Sequence, residues 1–426
     1  MDSDFALTPL ERPRPRAAGA ARTPRGQLIV LAVCAFAMML DLGDIAISQS
    51  LGAIFSNTAS RTSVAWLLSA VYVGGVAGAP VFGWLSDRYG RRTSLTLMLG
   101  VMAVTALGSA FSPGLVSLTV FRALSGAAFG GFAPILFVYM AELLPTGHRA
   151  QGSLLVTAVA LCGPPLVLFM VRWLAPIDFL GWQGWRFAFL ALAVLIGAAC
   201  AAFKTLPESA LWLSSRTRVG NPATAVSLGD EASRQGKVSP RRLVLFSLLF
   251  FLSPWATVAM PMLSGAVLIQ KGFRLSDTLL FLAISNVAPI LSPLLTSAVS
   301  KKLDRPWALA LGALVLALDG FTFAWAEGPG LVLVSLSVFL FVATGYVALL
   351  NIYAAEAFGS SVRARAASAT WAFNRFASIL GPLTLLPLSH AFGPTAVATF
   401  VMVTLALSAG LVMTFGPRNL DASPLT

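Results

Sequence analysis

The sequence predicts an all-α membrane protein with twelve transmembrane helices in two six-helix bundles, and three observations support this fold class. Of the 426 residues, 57% are hydrophobic and only 11% are charged, whereas soluble proteins carry about 25% charged residues. The apolar residues form runs long enough to cross a bilayer, which takes about 20 residues in a helix. One set of polar residues also recurs at a constant separation in the two parts of the chain.

The apolar runs predict twelve spans. Their approximate limits are 27–53, 64–86, 94–112, 115–144, 150–173, 183–204, 243–269, 275–299, 306–326, 330–357, 364–388 and 393–415. The longest polar stretch divides six spans from six. We therefore predict an N-terminal bundle over residues 27–204, a cytoplasmic central loop over 205–242 and a C-terminal bundle over 243–415. The flanking segments are a disordered cytosolic tail, 1–26, and a short cytosolic tail, 416–426.

Lysine and arginine lie mainly in alternate segments between the spans. If both termini are cytoplasmic, twenty-two of the 29 basic residues are cytoplasmic, five are external, and Arg122 and Arg375 lie within spans. Because basic residues concentrate in cytoplasmic loops, this asymmetry predicts that both termini are inside. The net charge of +12 is therefore a topology signal and not the basic patch of a nucleic-acid-binding protein. We expect a multi-pass monomer in the lipid bilayer of a bacterial cytoplasmic (inner) membrane.

A repeated polar pattern indicates that the chain is a duplicated six-helix unit. Tyr139, Glu142 and Arg149 have the same spacing as Tyr353, Glu356 and Arg363, at an offset of 214 residues. The same offset places Asp87, Arg88 and Arg91 over Lys301, Lys302 and Arg305. Duplicated bundles in membranes bind small solutes near the midplane, between the halves, and rock about that site. The duplication therefore predicts a carrier of small solutes.

Several motifs resemble those of the major facilitator superfamily, over residues 27–415. Gly83-Trp-Leu-Ser-Asp-Arg-Tyr-Gly-Arg-Arg92 resembles its loop signature, and Arg122-Ala-Leu-Ser-Gly126 resembles its intramembrane arginine motif. Pro207-Glu-Ser-Ala-Leu-Trp-Leu213 is similar to the sugar-porter-like metabolite:proton symporter branch. In the first span, Asp41-Leu-Gly-Asp44 resembles the paired-aspartate motif of the aromatic acid:proton symporters, and Asn374-Arg375 fits that branch.

Two departures from the pattern concern the substrate class more than the fold. The seventh span has Pro261-Met262 after Trp255 where a Trp-Leu-Pro sequence is typical, and the fifth has Gly163-Pro164-Pro165. The resemblance also implies a gate of charge pairs at the cytoplasmic helix ends, which closes when the carrier faces outward. Topology and helix capping are the alternative role for these charges. The gating candidates are Asp87, Arg88, Arg91, Arg92, Glu142, Arg149, Glu356 and Arg363.

Asp41, Asp44 and Arg122 are the candidates for proton coupling. The aspartates are three residues apart, which puts them on one face of the first helix, at a depth where an ionised group facing lipid costs at least about 2.5 kcal/mol. They must therefore face protein or a water-filled cavity. Arg122 needs an anionic partner because arginine cannot release its proton. Arg122 and the aspartates form either a switchable pair that gates protonation or a permanent structural ion pair.

Arg375 is the candidate for binding an anionic substrate, because a guanidinium matches a carboxylate with two parallel hydrogen bonds. The alternative is an ion pair between Arg375 and Asp319, the only acid of the second half near that depth. Other polar or aromatic residues at central depths could complete the site, although packing is the alternative role for each. They are Trp255, Trp371, Tyr346, Asn351 and Asn286.

The sequence has no phosphate-binding glycine loop for ATP, no nucleophile–base constellation for an enzyme and no cluster of metal ligands. The predicted driving force is a proton gradient, and no cofactor is expected. The predicted function is proton-coupled symport of a small organic anion, most specifically an aromatic carboxylate. A metabolite or drug exporter, a sugar or polyol carrier and a non-transporting membrane sensor remain as alternatives.

Overall fold

A computed structural model describes residues 24–417, apart from residues 180, 210, 215–238 and 359. Within these ranges, the side chains of residues 24, 146, 295, 300, 301 and 360–365 are not described. Most of the two predicted tails and of the central loop therefore lies outside the described residues. The helix that follows the first tail begins at Pro24, three residues before the predicted limit.

Twelve long helices, α1–α12, make up the described part of the chain, as the sequence predicts. They are α1 Pro24–Phe55, α2 Arg61–Tyr89, α3 Arg91–Ala110, α4 Leu115–Leu143, α5 Arg149–Leu174, α6 Gly184–Lys204, α7 Pro240–Gln270, α8 Leu275–Lys302, α9 Arg305–Trp325, α10 Pro329–Ala357, α11 Ser360–Phe392 and α12 Pro394–Phe415. Eleven are long and apolar enough to span a membrane, and α11 is the exception. Three arginines, at positions 363, 365 and 375, lower its hydropathy.

Proline interrupts three of these helices near their middle, because it lacks a backbone N–H and clashes with the preceding turn. The helical part of α5 stops at Ala160 and resumes at Gly163, beside Pro164 and Pro165. α7 contains a π-helical turn, Trp255–Ala259, between Pro254 and Pro261. α8 consists of Leu275–Ser285, a 3₁₀ turn at Ala288–Leu291 and Ser292–Lys302.

A short antiparallel hairpin, which the sequence did not predict, connects α5 and α6. Its strands are β1 Asp178–Phe179 and β2 Trp182–Gln183. Gly181 adopts a φ of +77° in the turn, a conformation that glycine adopts without steric cost.

Glycine determines how closely α2 and α4 pack. A Cβ on Gly74 would lie 1.8 Å from the Ala123 carbonyl oxygen, and one on Gly126 would lie 2.0 Å from the Val71 carbonyl oxygen. Small residues let backbones approach closely in membranes, where dispersion forces replace the hydrophobic effect between helices. This closely packed pair of helices lies next to α1 and α11.

The two halves meet mainly along four helix pairs. They are α1 with the Met260–Gln270 part of α7, α1 and α5 each with the Leu275–Ser285 part of α8, and α2 with α11. We call the face where α1 begins the N face, which is the predicted cytoplasmic side, and the opposite side the far face. The α7 and α8 segments in these contacts both adjoin the far face. The structure is therefore that of a two-bundle assembly closed at its far face.

Candidate transport site

A buried ion pair joins α1 and α4 within the N-terminal half. The Arg122 Nη1 atom donates to Oδ1 of Asp44 over 2.8 Å, and Nη2 donates to the Asp44 carbonyl oxygen over 2.8 Å and to Ser48 Oγ over 3.1 Å. Ser125 Oγ donates to the second carboxylate oxygen, Oδ2, over 2.7 Å. Arg122 is 1% exposed, so the pair is screened from water.

Asp41 lies one turn of α1 closer to the N face and has very different surroundings. It is completely buried, and neither of its carboxylate oxygens has a hydrogen-bond partner. The charges that act on it are Asp44 of its own helix and Arg375 of α11. The two predicted proton-coupling aspartates are thus only three residues apart in sequence but differ in their hydrogen bonding.

Arg375 extends from α11 of the C-terminal half into the N-terminal half. Its guanidinium carbon lies 4.5 Å from the centre of the Phe129 ring of α4 and 5.9 Å from that of Trp371. Its Nη1 atom lies 3.5 Å from the position of a Cβ on Gly75 of α2. Among the described residues, no carboxylate oxygen lies within 4.0 Å of this guanidinium.

The alternative ion pair between Arg375 and Asp319 is therefore not formed. The Asp319 carbonyl oxygen accepts a hydrogen bond from Ser335 of α10, and Oδ2 of its carboxylate is buried without a partner. Its side chain faces α10 and not the interface between the halves. Within the described structure, Arg375 is held by aromatic rings and carries a charge that no acid neutralises directly.

Two of the predicted substrate residues line one cavity of the C-terminal half. Trp371 and Asn351 line a cavity of about 150 Å³ together with Phe250 and Thr370. Trp371 is about one-third exposed and makes an edge contact with Phe250. Arg375 does not line this cavity, and Trp371 is the lining residue whose ring lies near the guanidinium.

The other three predicted substrate residues make packing or interface contacts. Trp255 is buried, with its ring centre 4.9 Å from that of Phe400 in α12. Tyr346 shares a hydrogen bond of 2.8 Å with Ser408 of α12. Asn286 donates to Gln49 of α1 over 3.1 Å, which links the two halves. These three side chains therefore take part in helix packing or in the contact between the halves. Their contacts do not indicate a solute-binding site.

The predicted gating charges lie at the N face, where the two acids meet Arg91 and Arg305. Glu142 lies 3.7 Å from Arg91, and not against Arg149, which donates instead to the Leu144 carbonyl. Glu356 accepts from Arg305 over 2.8 and 3.0 Å, whereas the Arg363 side chain lies outside the described residues. Arg91 also pairs with Asp87. Arg91 begins α3, whose first turn lies beside the end of α4. In the same way, Arg305 begins α9, whose first turn lies beside the end of α10.

The remaining two gating candidates have partners in their own half. Arg88 is exposed, with its guanidinium carbon 5.4 Å from the Trp84 ring centre. Arg92 donates from Nη1 to the Leu206 carbonyl over 3.0 Å. Its backbone N–H donates to Glu208 over 2.9 Å, so Glu208 caps the start of α3.

Sequence reasoning missed several residues that complete these contacts. Ser48, Ser125 and Phe129 are uncharged, so no charge pattern identifies them, although Ser48 follows Asp44 by one helical turn. Gln49 lies on the face of α1 that meets α8, which the apolar pattern of α1 does not reveal. Two of them carried a signal in quoted motifs: Glu208 lies in the motif that resembles the sugar-porter-like branch, and Ser125 lies in the Arg122–Gly126 motif.

Two related bundles of long apolar helices, with charged side chains buried among them and one closed face, are the architecture of a multi-pass membrane transporter. The sequence profile of the Major Facilitator Superfamily matches residues 29–382. The chain belongs to this superfamily.

Known relatives and structures agree with this assignment. A putative metabolite transport protein of Bacillus subtilis is 24% identical over 386 residues, which cover 84% of this chain and 84% of that protein. A putative niacin/nicotinamide transporter of the same bacterium is 24% identical over 401 residues, 92% of this chain and 96% of the relative. The crystal structure of a D-xylose-proton symporter superposes with a TM-score of 0.77 at 20% identity, covering 94% of this chain and 100% of that one. These relatives are transporters and not enzymes.

Proposed function

We propose that this protein is a proton-coupled symporter that imports a small organic anion, specifically an aromatic carboxylate. The observation that carries the proposal is Arg375, a cation between the two halves with no carboxylate within 4.0 Å among the described residues. A charge at that depth is costly and is retained in transporters chiefly for function. A substrate carboxylate would satisfy it with two charge-assisted hydrogen bonds.

The surroundings of Arg375 favour an aromatic anion over an aliphatic one. The guanidinium carbon lies 4.5 Å from the Phe129 ring centre and 5.9 Å from that of Trp371, and Trp371 and Phe250 also line a cavity of the C-terminal half. A planar ring could pack against these side chains while its carboxylate binds the guanidinium edge, since offset and edge-to-face ring contacts are favourable. The relative described as a niacin/nicotinamide transporter supports a small aromatic substrate for this chain.

Proton coupling is supported by the two buried aspartates and by the driving force that such a carrier needs. An anion moving inward works against the membrane potential, which costs about 2.3 kcal/mol per charge at 100 mV. A proton that moves with it cancels this charge. The solved symporter with the same fold is described as coupling D-xylose to protons, which makes a neutral sugar the second candidate substrate.

Transport by the purified protein in liposomes tests this proposal. We expect radiolabelled benzoate or nicotinate to accumulate when the outside is acidic, and to stop accumulating when a protonophore collapses the gradient. Arg375→Ala should abolish this accumulation and Arg375→Lys should leave part of it, since lysine keeps the charge but not the paired donors. Arg274→Ala, at the start of α8, is the matched control and should transport normally.

Three outcomes would contradict the proposal. Accumulation of D-xylose with Arg375→Ala still active would identify a sugar carrier. Loss of a preloaded anion in exchange for entering protons would identify an exporter. Equal benzoate uptake by wild type and Arg375→Ala would remove Arg375 from the substrate site.

A further inference from the structure

The two aspartates of α1 differ in a way that assigns them separate roles. Asp44 has a donor on each carboxylate oxygen, from Arg122 at 2.8 Å and Ser125 at 2.7 Å. A carboxylate with charge-assisted hydrogen bonds on both oxygens is stabilised in its ionised form. Protonating Asp44 would break at least one of these bonds and leave the buried Arg122 without its counter-charge.

Asp41 has none of these stabilising contacts. Both oxygens are fully buried, and neither meets a donor in the described structure. Burying an ionised carboxylate without a partner is far more costly than burying a neutral carboxylic acid. Asp41 can therefore bind a proton without breaking any existing hydrogen bond.

Arg375 is the cation that opposes this protonation. It acts on Asp41 across the boundary between the halves without touching it, since no carboxylate lies within 4.0 Å of its guanidinium. The other charged groups nearby are Asp44, on the same helix as Asp41, and Arg122, which Asp44 neutralises. Tyr72 of α2 faces both arginines. Any ligand that neutralises Arg375 therefore changes the electrostatic field at Asp41.

We propose that Asp41 alone carries the transported proton, and that an anion bound to Arg375 is what causes Asp41 to accept it. This inference rests on the proposed anion symport. When Arg375 is free, its positive charge favours ionised Asp41. When an anion neutralises Arg375, that support is lost, and Asp41 takes up one proton. By linkage, a proton on Asp41 strengthens anion binding by the same factor.

The proton balance of the cycle follows from this pairing. One water-derived proton from the far face forms an O–H bond with Asp41 as one anion binds Arg375, so the net charge carried is zero. After the carrier opens to the N face, the anion leaves, the Arg375 charge returns, and the O–H bond breaks to release the proton to water. Throughout, the pair of Asp44 and Arg122 stays intact as a fixed part of the N-terminal half.

The decisive measurement is the pH dependence of anion affinity in the purified protein. Between pH 6 and 8 nicotinate stays anionic, so any change in its affinity reports protons on the protein. In wild type we expect the dissociation constant to rise towards the limit of about tenfold per pH unit for one linked proton. Asp41→Asn, which mimics the protonated acid, should bind nicotinate tightly, with a change below about twofold across this range.

Transport assays add a second readout with the same variant. Asp41→Asn should keep nicotinate exchange between the two sides of a liposome but lose accumulation driven by a proton gradient. Wild-type protein in weakly buffered solution should take up one proton for each nicotinate bound, as measured with a pH indicator. This measurement needs no variant, so it decides the question even if Asp41→Asn fails to fold.

Several outcomes would overturn the inference. One is a pH-dependent affinity in Asp41→Asn equal to that of wild type, and another is nicotinate binding to wild type without proton uptake. A dependence on Na⁺ in place of pH would assign Asp41 to a metal ion. Failure of the proposed function looks different, because wild type would then bind neither nicotinate nor benzoate at any pH.

Discussion

The 214-residue repeat is kept in the contacts at the N-face helix ends, but it is not kept among the charged residues in the middle of the membrane. At the N face, Arg91 with Glu142 and Arg305 with Glu356 are pairs related by the 214-residue offset. Tyr139 donates to the Pro207 carbonyl, and its counterpart Tyr353 donates to the Pro417 carbonyl. Each tyrosine thus ties the fourth helix of its half to the segment that follows the sixth.

In the middle of the membrane the repeat is not kept. The counterparts of Asp44 and Arg122 are Val258 and Leu336, and the counterpart of Arg375 is Leu161. The N-face contacts occur in both halves, whereas each of these charges in the middle occurs in one half only. The charged residues that have no counterpart in the other half are therefore the positions at which solute binding and proton transfer should be tested.

The largest effect should come from breaking the ion pair of the N-terminal half. Asp44→Val introduces the residue of the C-terminal half and leaves Arg122 buried without a counter-charge. We expect it to destabilise the protein by about 3–5 kcal/mol, measured as loss of thermal stability in detergent, and to abolish transport. The double variant Asp44→Val/Arg122→Leu should recover much of the stability but no transport. If its loss of stability equals the sum of the two single losses, the pair is not coupled as described.

The next effect concerns the charge that has no acid partner. Arg375→Ala should weaken aromatic carboxylate binding about 10- to 150-fold, because hydrogen bonds to a charged group contribute about 1.5–3 kcal/mol. Its thermal stability should change little, in contrast to Asp44→Val, since no ion pair is lost. Binding by isothermal titration and unfolding by differential scanning fluorimetry measure the two quantities. A large loss of stability together with unchanged affinity would make Arg375 a structural residue.

A smaller effect is expected at the closed far face. Gln49→Ala removes the hydrogen bond to Asn286 that crosses the halves, which contributes about 1 kcal/mol. The closed state should lose about that much relative to the open state. Deuterium exchange of the Leu275–Ser285 segment should therefore become faster. Gln183→Ala, in the exposed hairpin, is the control and should leave this exchange unchanged.

The smallest effects should distinguish the two symmetric pairs at the N face. Arg305 holds Glu356 with two hydrogen bonds of 2.8 and 3.0 Å, whereas Arg91 lies 3.7 Å from Glu142. Partly exposed pairs contribute about 0–1 kcal/mol, so we expect Glu356→Gln to destabilise more than Glu142→Gln. Thermal unfolding at low and high salt measures this, because salt weakens exposed pairs. Equal, salt-independent losses would show that neither pair acts through charge.

Much of the candidate site was predictable, but its pairings were not. Hydropathy located Asp41, Asp44, Arg122 and Arg375 within spans, where a charged side chain is costly and is usually retained for function. Which atoms meet depends on the rotation of each helix about its axis, and a shift of one residue along a helix rotates a side chain by about 100°. For that reason the sequence did not identify Arg91 and Arg305 as the residues that meet Glu142 and Glu356, although both acids lie at the predicted end.

The aromatic residues show the same limit. Trp255, Trp371 and Tyr346 lie at similar predicted depths, yet of these three only Trp371 lies beside Arg375, while the others pack against α12. Apolar helices in a membrane give little indication of which face is turned inwards, because lipid and protein interior are both apolar. A sequence pattern therefore finds the depth of such a residue and not its direction.

The sequence by itself determined the class of this protein: twelve spans, a duplicated six-helix unit and a small set of charges inside the membrane. It did so because the cost of burying polar backbone and charge in lipid leaves few alternatives to long apolar helices. Only the tertiary structure decided that Asp44 is bonded on both oxygens, that Asp41 is bonded on neither, and that Arg375 reaches the other half. These facts depend on contacts between helices far apart in the chain, where hydrogen-bond geometry of a few tenths of an ångström decides which charge is satisfied.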